Sequence, residues 1–334
     1  MPAPAHSPAA ATPTGAAGDV TPPPVAARTG GFTLPGPVAA FDVGGTDIKA
    51  GLVHPDGSIS HRSTTPTPRD PARPAAAVVD RTTQLAAAMP GAVALGVVVP
   101  GLVDDVRGVG VYSANLGWRD APFGELLAAA TDLPVGFNHD VTAAAIAETT
   151  FGAAAGIADA AVVAIGTGIA AGLIVDGRPH RARGYAGELG HTVVDPSGPL
   201  CPCGARGCLE AIASAAALAR RYTEVSGRPA AGAREVLAAR AAGDETAARI
   251  WQEGIRALAA GLRQLSALLA PEIVVIGGGL MRAGDDLFTP LRREAERTFT
   301  VHPVPPIVAA TTGPDAGLLG SALIGAGALT GDAA

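Results

Sequence analysis

The chain has 334 residues, enough for two domains or one large bilobal unit, and its 48% hydrophobic content against 16% charge excludes a disordered protein. A net charge of −6, with the 24 basic residues mostly scattered, speaks against nucleic acid as the main partner. Lys49 is the only lysine among abundant Ala, Arg and Gly, which reflects a GC-rich coding bias more than chemistry.

Residues 1–36 are rich in Pro, Ala, Thr and Gly, show no amphipathic period, and read as a disordered tail. They lack the basic start and apolar centre of a secretion signal, and no stretch has the long apolar run of a membrane span. With three unpaired cysteines suited to a reducing compartment, the expectation is a cytoplasmic protein.

Order is expected from Pro37. V-A-A-F-D-V-G-G-T-D-I-K-A-G-L-V reads as strand, glycine turn, strand, closed by H-P-D-G. The turn carries Asp42, Gly44, Gly45 and Thr46. Paired glycines let backbone N–H groups approach phosphate oxygens, Thr46 adds a hydroxyl, and Asp42 is placed to orient Mg²⁺ or its waters. An ordinary hairpin turn is the alternative. No G-K-[ST] follows and no helix follows, so neither a Walker A loop nor a dinucleotide fingerprint is present.

A helix is predicted from Pro74 to Ala88, then a buried strand in A-V-A-L-G-V-V-V-P-G-L-V-D, ending at its Pro-Gly turn. S-A-N-L-G-W carries Asn115, whose amide alone suits a turn cap as well as a ligand contact. After a short helix over 122–130, the strand L-P-V-G-F-N runs into H-D-V-T-A-A-A-I-A-E, placing Asp140 between strand and helix. That junction is a routine N-cap position. It is also rigid, faces a cleft, and sits at a helix N-terminus that keeps a carboxylate ionised and ready to accept a proton.

A-A-V-V-A-I-G-T-G-I-A-A-G-L-I-V-D-G repeats the first hairpin's logic, with Gly166, Thr167 and Gly168 as a second candidate phosphate loop. Two such hairpins suggest two similar lobes facing one nucleotide. The stretch from Gly187 to Glu210 holds Cys201, Cys203 and Cys208, spaced C-x-C-x4-C, with His191 ten residues upstream of the first. Three thiolates and an imidazole suit a closed tetrahedral Zn²⁺ site. Glu188 and Glu210 bracket it, held for hydrogen bonding to a polyhydroxylated ligand or simply solvated. Helical segments follow to about Leu269. P-E-I-V-V-I-G-G-G-L then delivers Gly277, Gly278 and Gly279, either a plain turn or a surface that a base or ribose can approach closely. A small-residue helix over 315–326 closes the chain.

E-x-G-H followed by C-x-C-G-x-x-G-C-x-E resembles the signature of the ROK family of sugar kinases and sugar-responsive repressors, and D-x-G-G-T resembles the first phosphate loop of actin-like ATPases. Five motifs keep the family's order between residues 38 and 327. The resemblance implies an α/β actin-like ATPase (ribonuclease H-like) fold, two lobes with mixed sheets around a central cleft. The N-terminal lobe would span 37–140, joined by the C-terminal helix 315–330, and the C-terminal lobe 141–314, with its zinc-binding loop at 188–210. Implied with it are ATP, Mg²⁺ and a structural Zn²⁺, a homodimer, and phosphorylation of a hexose at its 6-hydroxyl. Glucose comes first; N-acetylmannosamine, N-acetylglucosamine, fructose, allose or a non-catalytic sensor are the alternatives. Asp140 matches the catalytic base, and Asn115, His139, Asp140, Glu188, His191 and Glu210 match the sugar contacts. His191 would also ligate zinc through its other nitrogen, beside Cys201, Cys203 and Cys208. ATP and Mg²⁺ fall to Asp42, Gly44, Gly45, Thr46, Gly166, Thr167, Gly168, Gly277, Gly278 and Gly279. The family's N-D-A-N-A-A-A reads H-D-V-T-A-A-A here, so His139 and Thr142 replace two asparagines, and Asp47 stands where a lysine is frequent. Residues 1–36 are too short and too Pro-rich for the DNA-binding module of the repressors.

Overall fold

The computed structural model describes residues 34–330; of the tail expected over 1–36, the part up to residue 33 lies outside the described residues. Strands β1 (Val38–Val43), β2 (Asp47–Val53) and β3 (Ile59–Pro66) form an antiparallel meander. Helix α1 (Pro74–Ala86) then leads to β4 (Ala94–Val99), which pairs in parallel with β1. All six residues of β4 are buried, as a central parallel strand covered on both faces requires. Strands β5 (Leu102–Asp104), β6 (Val109–Ser113) and β7 (Trp118–Ala121) fold into a small separate sheet. Helix α2 (Phe123–Ala130) and β8 (Val135–His139), parallel to β4, complete the first large sheet in the order β3-β2-β1-β4-β8.

Helix α3 (Asp140–Phe151) crosses to the second half, which rebuilds the pattern. Its elements are β9 (Ala160–Ile165), β10 (Ile169–Val175), β11 (Arg178–Pro179), α4 (Leu209–Ala213), α5 (Ala215–Ser226), α6 (Ala233–Ala241) and α7 (Glu245–Leu269). Then come β12 (Ile273–Gly277), α8 (Asp285–Thr298) and β13 (Ile307–Ala309). The sheet order is β11-β10-β9-β12-β13, with two antiparallel and two parallel pairings in the same sequence as in the first sheet. This duplicated mixed sheet is the actin-like ATPase fold. Helix α7 owes its 25 residues to a cap and a stripe. Asp244 accepts from the N–H groups of Thr246 and Ala247, and Ile250, Ile255, Leu258, Leu262 and Leu265 line its buried face.

Helix α9 (Ala316–Thr330) returns to the first sheet, where Leu318, Ala322 and Ala326 pack with Val38, Ala40 and Ala94. The contact is nearly backbone to backbone. A methyl group on Gly96 would lie 1.9 Å from the Ser321 carbonyl, and one on Gly320 would lie 2.0 Å from the Ala143 carbonyl of α3. Thus α3 and α9 cross in contact between the sheets, and small residues are the reason they fit. No helix among the described residues is long and apolar enough to cross a membrane.

The predicted hairpins and central strands are present. Helix α1 stops at Ala86, two residues short of expectation, and α9 runs on to Thr330. Strand β3 and the β5–β7 sheet were not anticipated. I-S-H-R-S-T-T-P lies at a sheet edge with no fully buried residue, so it carries no apolar run. The small sheet draws its cohesion from an aromatic cluster that reaches β8: Phe123 stands edge-on to Trp118 at 5.0 Å and stacks on Phe137 at 4.9 Å.

Candidate active site

The turn between β1 and β2 closes tightly, the Gly44 N–H donating to the Asp47 carbonyl at 2.8 Å. It is fixed from outside the hairpin. The Thr67 hydroxyl donates to the Gly44 carbonyl at 2.7 Å, and Arg69 bridges the carbonyls of Gly45 and Asn115, each at 2.5 Å. Asn115, on the β6–β7 turn, is therefore bound to the first glycine loop. Asp42 points from the end of β1 toward the first turn of α9, where a methyl on Gly317 would come within 2.4 Å of its Oδ2. Lys49 Nζ lies 3.5 Å from the same oxygen and 3.4 Å from the Pro314 carbonyl. Burial, and then the nearby Asp140, push the Asp42 carboxyl above its ordinary range, while Lys49 opposes them.

Asp140 stands at the β8–α3 junction as read from the sequence, but it is not the cap. His139 holds the cap position in extended conformation (φ −79°, ψ 142°), and Asp140 is the first helical residue. Its Oδ1 accepts from the Val141 N–H at 2.7 Å, too local a contact to satisfy the next helix turn. His139 and Thr142 line a small cleft with Ala171, Arg181 and Glu188 of the second half, so side chains from both halves meet there. Burial pushes the Glu188 carboxyl up, opposed by His139 and His191 and reinforced by Glu210 and Asp140. Asp140 is thus near enough to both Asp42 and Glu188 to raise their carboxyls, and Glu210 does the same to Glu188.

The metal-ligand candidates converge. One ligand atom each from His191, Cys201, Cys203 and Cys208 lies within 4.8 Å of all the others. Cys203 and Cys208 are 3.6 Å apart at sulfur, and Cys201 Sγ is 3.7 Å from His191 Nδ1. Tetrahedral Zn²⁺ with bonds of about 2.3 Å to sulfur and 2.0–2.1 Å to nitrogen gives edges of roughly 3.6–3.8 Å, so the donor set fits that ion. The thiols are otherwise unlike one another: burial pushes Cys208 up to about 12, while the Ala205 N–H draws Cys203 down to about 7. A cation that favours thiolate makes them equivalent as ligands. With Nδ1 toward the sulfurs, His191 turns Nε2 toward Glu188 Oε2, 3.8 Å away.

Glu210, in the first turn of α4, binds the second hairpin. Its Oε2 accepts from the Ile169 N–H at 2.8 Å, and a methyl on Gly168 would collide with it at 2.5 Å. Glu210 thus ties α4 to the Gly166–Gly168 turn, and the Ala215 N–H adds a second tie by donating to the Gly166 carbonyl at 2.9 Å. Gly278 has φ +79° and its absent side chain leaves room for Ile165, whose carbonyl oxygen would lie 2.5 Å from a methyl. Gly277 through Gly279 and Gly166 through Gly168 accordingly sit side by side, at the carboxyl ends of the parallel strands β12 and β9.

Several participants were not singled out from the sequence: Arg69, Thr67, Gly317, and the Asp105–Arg181 pair at 3.1 Å that links the β5–β6 turn to the segment before Glu188. Each acts across a long stretch of chain and carries no local spacing. Only Arg181, seven residues before Glu188, had a neighbour that could have drawn attention to it.

Comparison with known proteins identifies the family. The ROK family profile matches residues 38–327. The chain is 34% identical over 310 residues to the glucokinase of Streptomyces coelicolor, covering 84% of this chain and 95% of that one. With the Thermotoga maritima glucokinase it shares 35% over 303 residues (85% and 95%), and with the N-acetylmannosamine kinase of Citrobacter koseri 34% over 294 residues (86% and 98%). Among solved structures, the ROK hexokinase of Thermus thermophilus superposes with a TM-score of 0.76 at 36% identity, covering 88% of this chain and 99% of the other. A ROK glucokinase of Streptomyces griseus, in complex with glucose and AMPPNP, gives 0.73 at 31% identity, covering 87% and 99%. A match over nearly the whole described length, on a fold that is itself duplicated, makes this chain a member of the ROK family.

Proposed function

We propose that this ROK-family sugar kinase transfers the γ-phosphoryl group of ATP to the 6-hydroxyl of a hexose, glucose being the preferred acceptor. The observation that supports the reading is the cleft where His139 and Thr142, on either side of Asp140, face Glu188 of the second half, with Asp140 and Glu188 close enough to interact electrostatically. Asp140 accepts the proton of the primary hydroxyl as that oxygen attacks phosphorus in line, and the phosphoryl group leaves ADP behind. Asn115, His139, Glu188, His191 and Glu210 hold the other hydroxyls, so the reacting oxygen is oriented before attack. The turns Gly44–Thr46 and Gly166–Gly168 offer backbone N–H groups to the phosphates, apart from those of Gly44 and Gly166, which close the turns themselves, and Gly277–Gly279 leaves space for the nucleoside. Asp42, largely buried and repelled by Asp140, is a donor suited to a hard divalent cation; bound Mg²⁺ neutralises developing charge on the phosphates. Zinc, held by His191, Cys201, Cys203 and Cys208, organises the sugar loop and takes no part in bond making.

We further take the lobes as 37–140 with the C-terminal helix, and 141–314, assembled in solution as a homodimer that light scattering would register. A coupled ADP-release assay over a panel of hexoses tests the acceptor. Glucose should give the highest kcat/KM. A higher value for N-acetylmannosamine or another hexose reassigns the substrate within the same mechanism, and no ADP release with any sugar removes the kinase reading. His139 is the residue that favours the second outcome, because it changes the donor pattern next to the base.

A further inference from the structure

A carboxylate that the proposed chemistry does not use lies at the far end of α3 from Asp140. Glu148 is only 1% exposed, and neutral donors from two parts of the chain converge on it. Oε1 accepts from the Thr311 N–H at 3.0 Å, the Thr312 N–H at 2.8 Å and the Thr312 hydroxyl at 2.5 Å. Oε2 accepts from the Ala153 N–H at 2.7 Å and meets the Thr311 hydroxyl at 3.5 Å. The local chain leaves room for this carboxylate, since a methyl on Gly152 would lie 2.1 Å from Oε2. Thr311 and Thr312 belong to the connector 310–315 between β13 and α9. At its start, the Ala310 N–H donates to the Ile276 carbonyl at 2.9 Å, beside Gly277. At its end, the Pro314 carbonyl accepts from Lys49, and Gly317 in the next turn abuts Asp42.

We propose that Glu148 is a positioning residue for the nucleotide: by holding Thr311 and Thr312 against α3, it fixes the spacing between Gly277–Gly279 and Asp42. This rests on the reading of those two places as the nucleoside and Mg²⁺ ends of the site. Apart from the short 3₁₀ turn Gly313–Asp315, the connector is irregular and its backbone donors must find partners elsewhere. Without the carboxylate, the Thr311 and Thr312 N–H groups lose their acceptor, and the segment has to be ordered when nucleotide binds. That cost falls on nucleotide affinity. None of the proposed sugar contacts lies on this connector, so sugar affinity is spared.

Glu148→Ala, Glu148→Gln and Thr312→Val are to be compared with the full-length parent. The measurements are calorimetry with AMPPNP and Mg²⁺, calorimetry with the hexose preferred in the ADP-release panel, and steady-state kinetics. The Ala variant should bind AMPPNP roughly 10- to 100-fold more weakly, as loss of a supporting partner does, with sugar affinity changing only a few-fold. The KM for ATP should rise in step. Thr312→Val removes one hydroxyl donor and keeps the backbone, so it should weaken AMPPNP by about 3- to 10-fold. Glutamine keeps an oxygen for the threonine donors, and the Gln variant should stay within a few-fold of the parent. Equal losses for AMPPNP and sugar, or AMPPNP affinity unchanged in both the Ala and Val variants, would make Glu148 a folding residue only and overturn the proposal. Melting temperatures close to the parent's identify folded variants. If the Ala variant does not fold, Thr312→Val decides alone, and an unchanged AMPPNP affinity there overturns the proposal. Gly279→Leu tests the reading beneath: a methyl on Gly279 meets no atom within 4 Å, so a larger side chain enters the space assigned to the nucleoside. A Gly279→Leu that binds AMPPNP like the parent overturns that reading, and this inference with it. A Gly279→Leu that no longer binds, beside Glu148→Ala and Thr312→Val that bind fully, overturns the positioning role alone.

Discussion

The two large sheets share strand order, pairing polarity and a glycine turn after the first strand, yet they differ in where they keep charge. In β1 the second residue before the glycine is Asp42; its counterpart in β9 is Ala164. The crossover helix leaving the first sheet starts with Asp140, whose Oδ2 has no protein donor among the described residues. The one leaving the second sheet is preceded by Asp315, whose two oxygens are taken up by Arg62 at 2.5 and 3.0 Å. Equivalent scaffolds thus carry Asp42 and an Asp140 with one unengaged oxygen on one side, and an alanine and an ion-paired aspartate on the other. A duplicated fold does not need duplicated function; if the proposed roles hold, two side-chain differences, at a strand end and at a helix start, divide the labour.

Removing the free acid and its paired counterpart breaks the comparison most directly. Asp140→Asn should lower kcat by about 10² to 10⁴, the usual worth of a positioned general base, while calorimetry still detects sugar binding. Asp315→Asn should change kcat only a few-fold, since it alters a partly exposed ion pair of modest value. Equal losses in the two variants would mean that the asymmetry has no catalytic content.

Asp42→Asn separates activity from stability. Its raised carboxyl favours the protonated form in the folded state. Below the ordinary value of 3.8 both folded and unfolded chains carry that proton; as pH rises through the elevated folded value, the folded state must hold a charge it resists, and stability is lost. At neutral pH the Asn variant is therefore expected to melt higher than the parent, while kcat falls by roughly 10² or more through loss of charge stabilisation at the phosphates. Parallel melting curves at pH 7 and activity assays decide this; a lower melting temperature at pH 7 would show that the Lys49 contact outweighs burial.

How much of this was legible beforehand follows the same division. Asp42, Asp140 and the three glycine runs sit at strand ends, where a short apolar run and a turn residue announce them locally. Cys201, Cys203, Cys208 and His191 are marked by ligand spacing alone. Arg69, Gly317 and the Asp105–Arg181 pair are invisible by that method, because their meaning arises only when strands more than twenty residues distant are brought together. His139 falls between: the substitution is plain in the sequence, but the 3.1 Å approach of its Nε2 to Asp140 Oδ1 shows only in the packed β8–α3 junction.

The metal supplies the last contrast. Asp140 needs no staple, since a buried strand and a helix fix its backbone on either side. Glu188 lies on irregular chain and Glu210 in a five-residue helix, too short to hold its own geometry. Cys208, immediately before that helix, and His191, three residues after Glu188, are both in the ligand set, so the ion would fix the two acids from their own flanks. Replacing Cys203, the one exposed cysteine of the set, by Ser should release zinc by elemental analysis and lower the melting temperature. The sugar KM should rise about 10- to 100-fold, as loss of support around a metal site does, with the KM for ATP moving less. Because Glu210 also anchors the Ile169 N–H, some effect should reach the second glycine turn, and a KM for ATP that rises as steeply as that for sugar would show the stapled loop and the nucleotide turn to be a single rigid body. An unchanged sugar KM in a zinc-free variant would instead show that Glu188 and Glu210 are held by the protein alone.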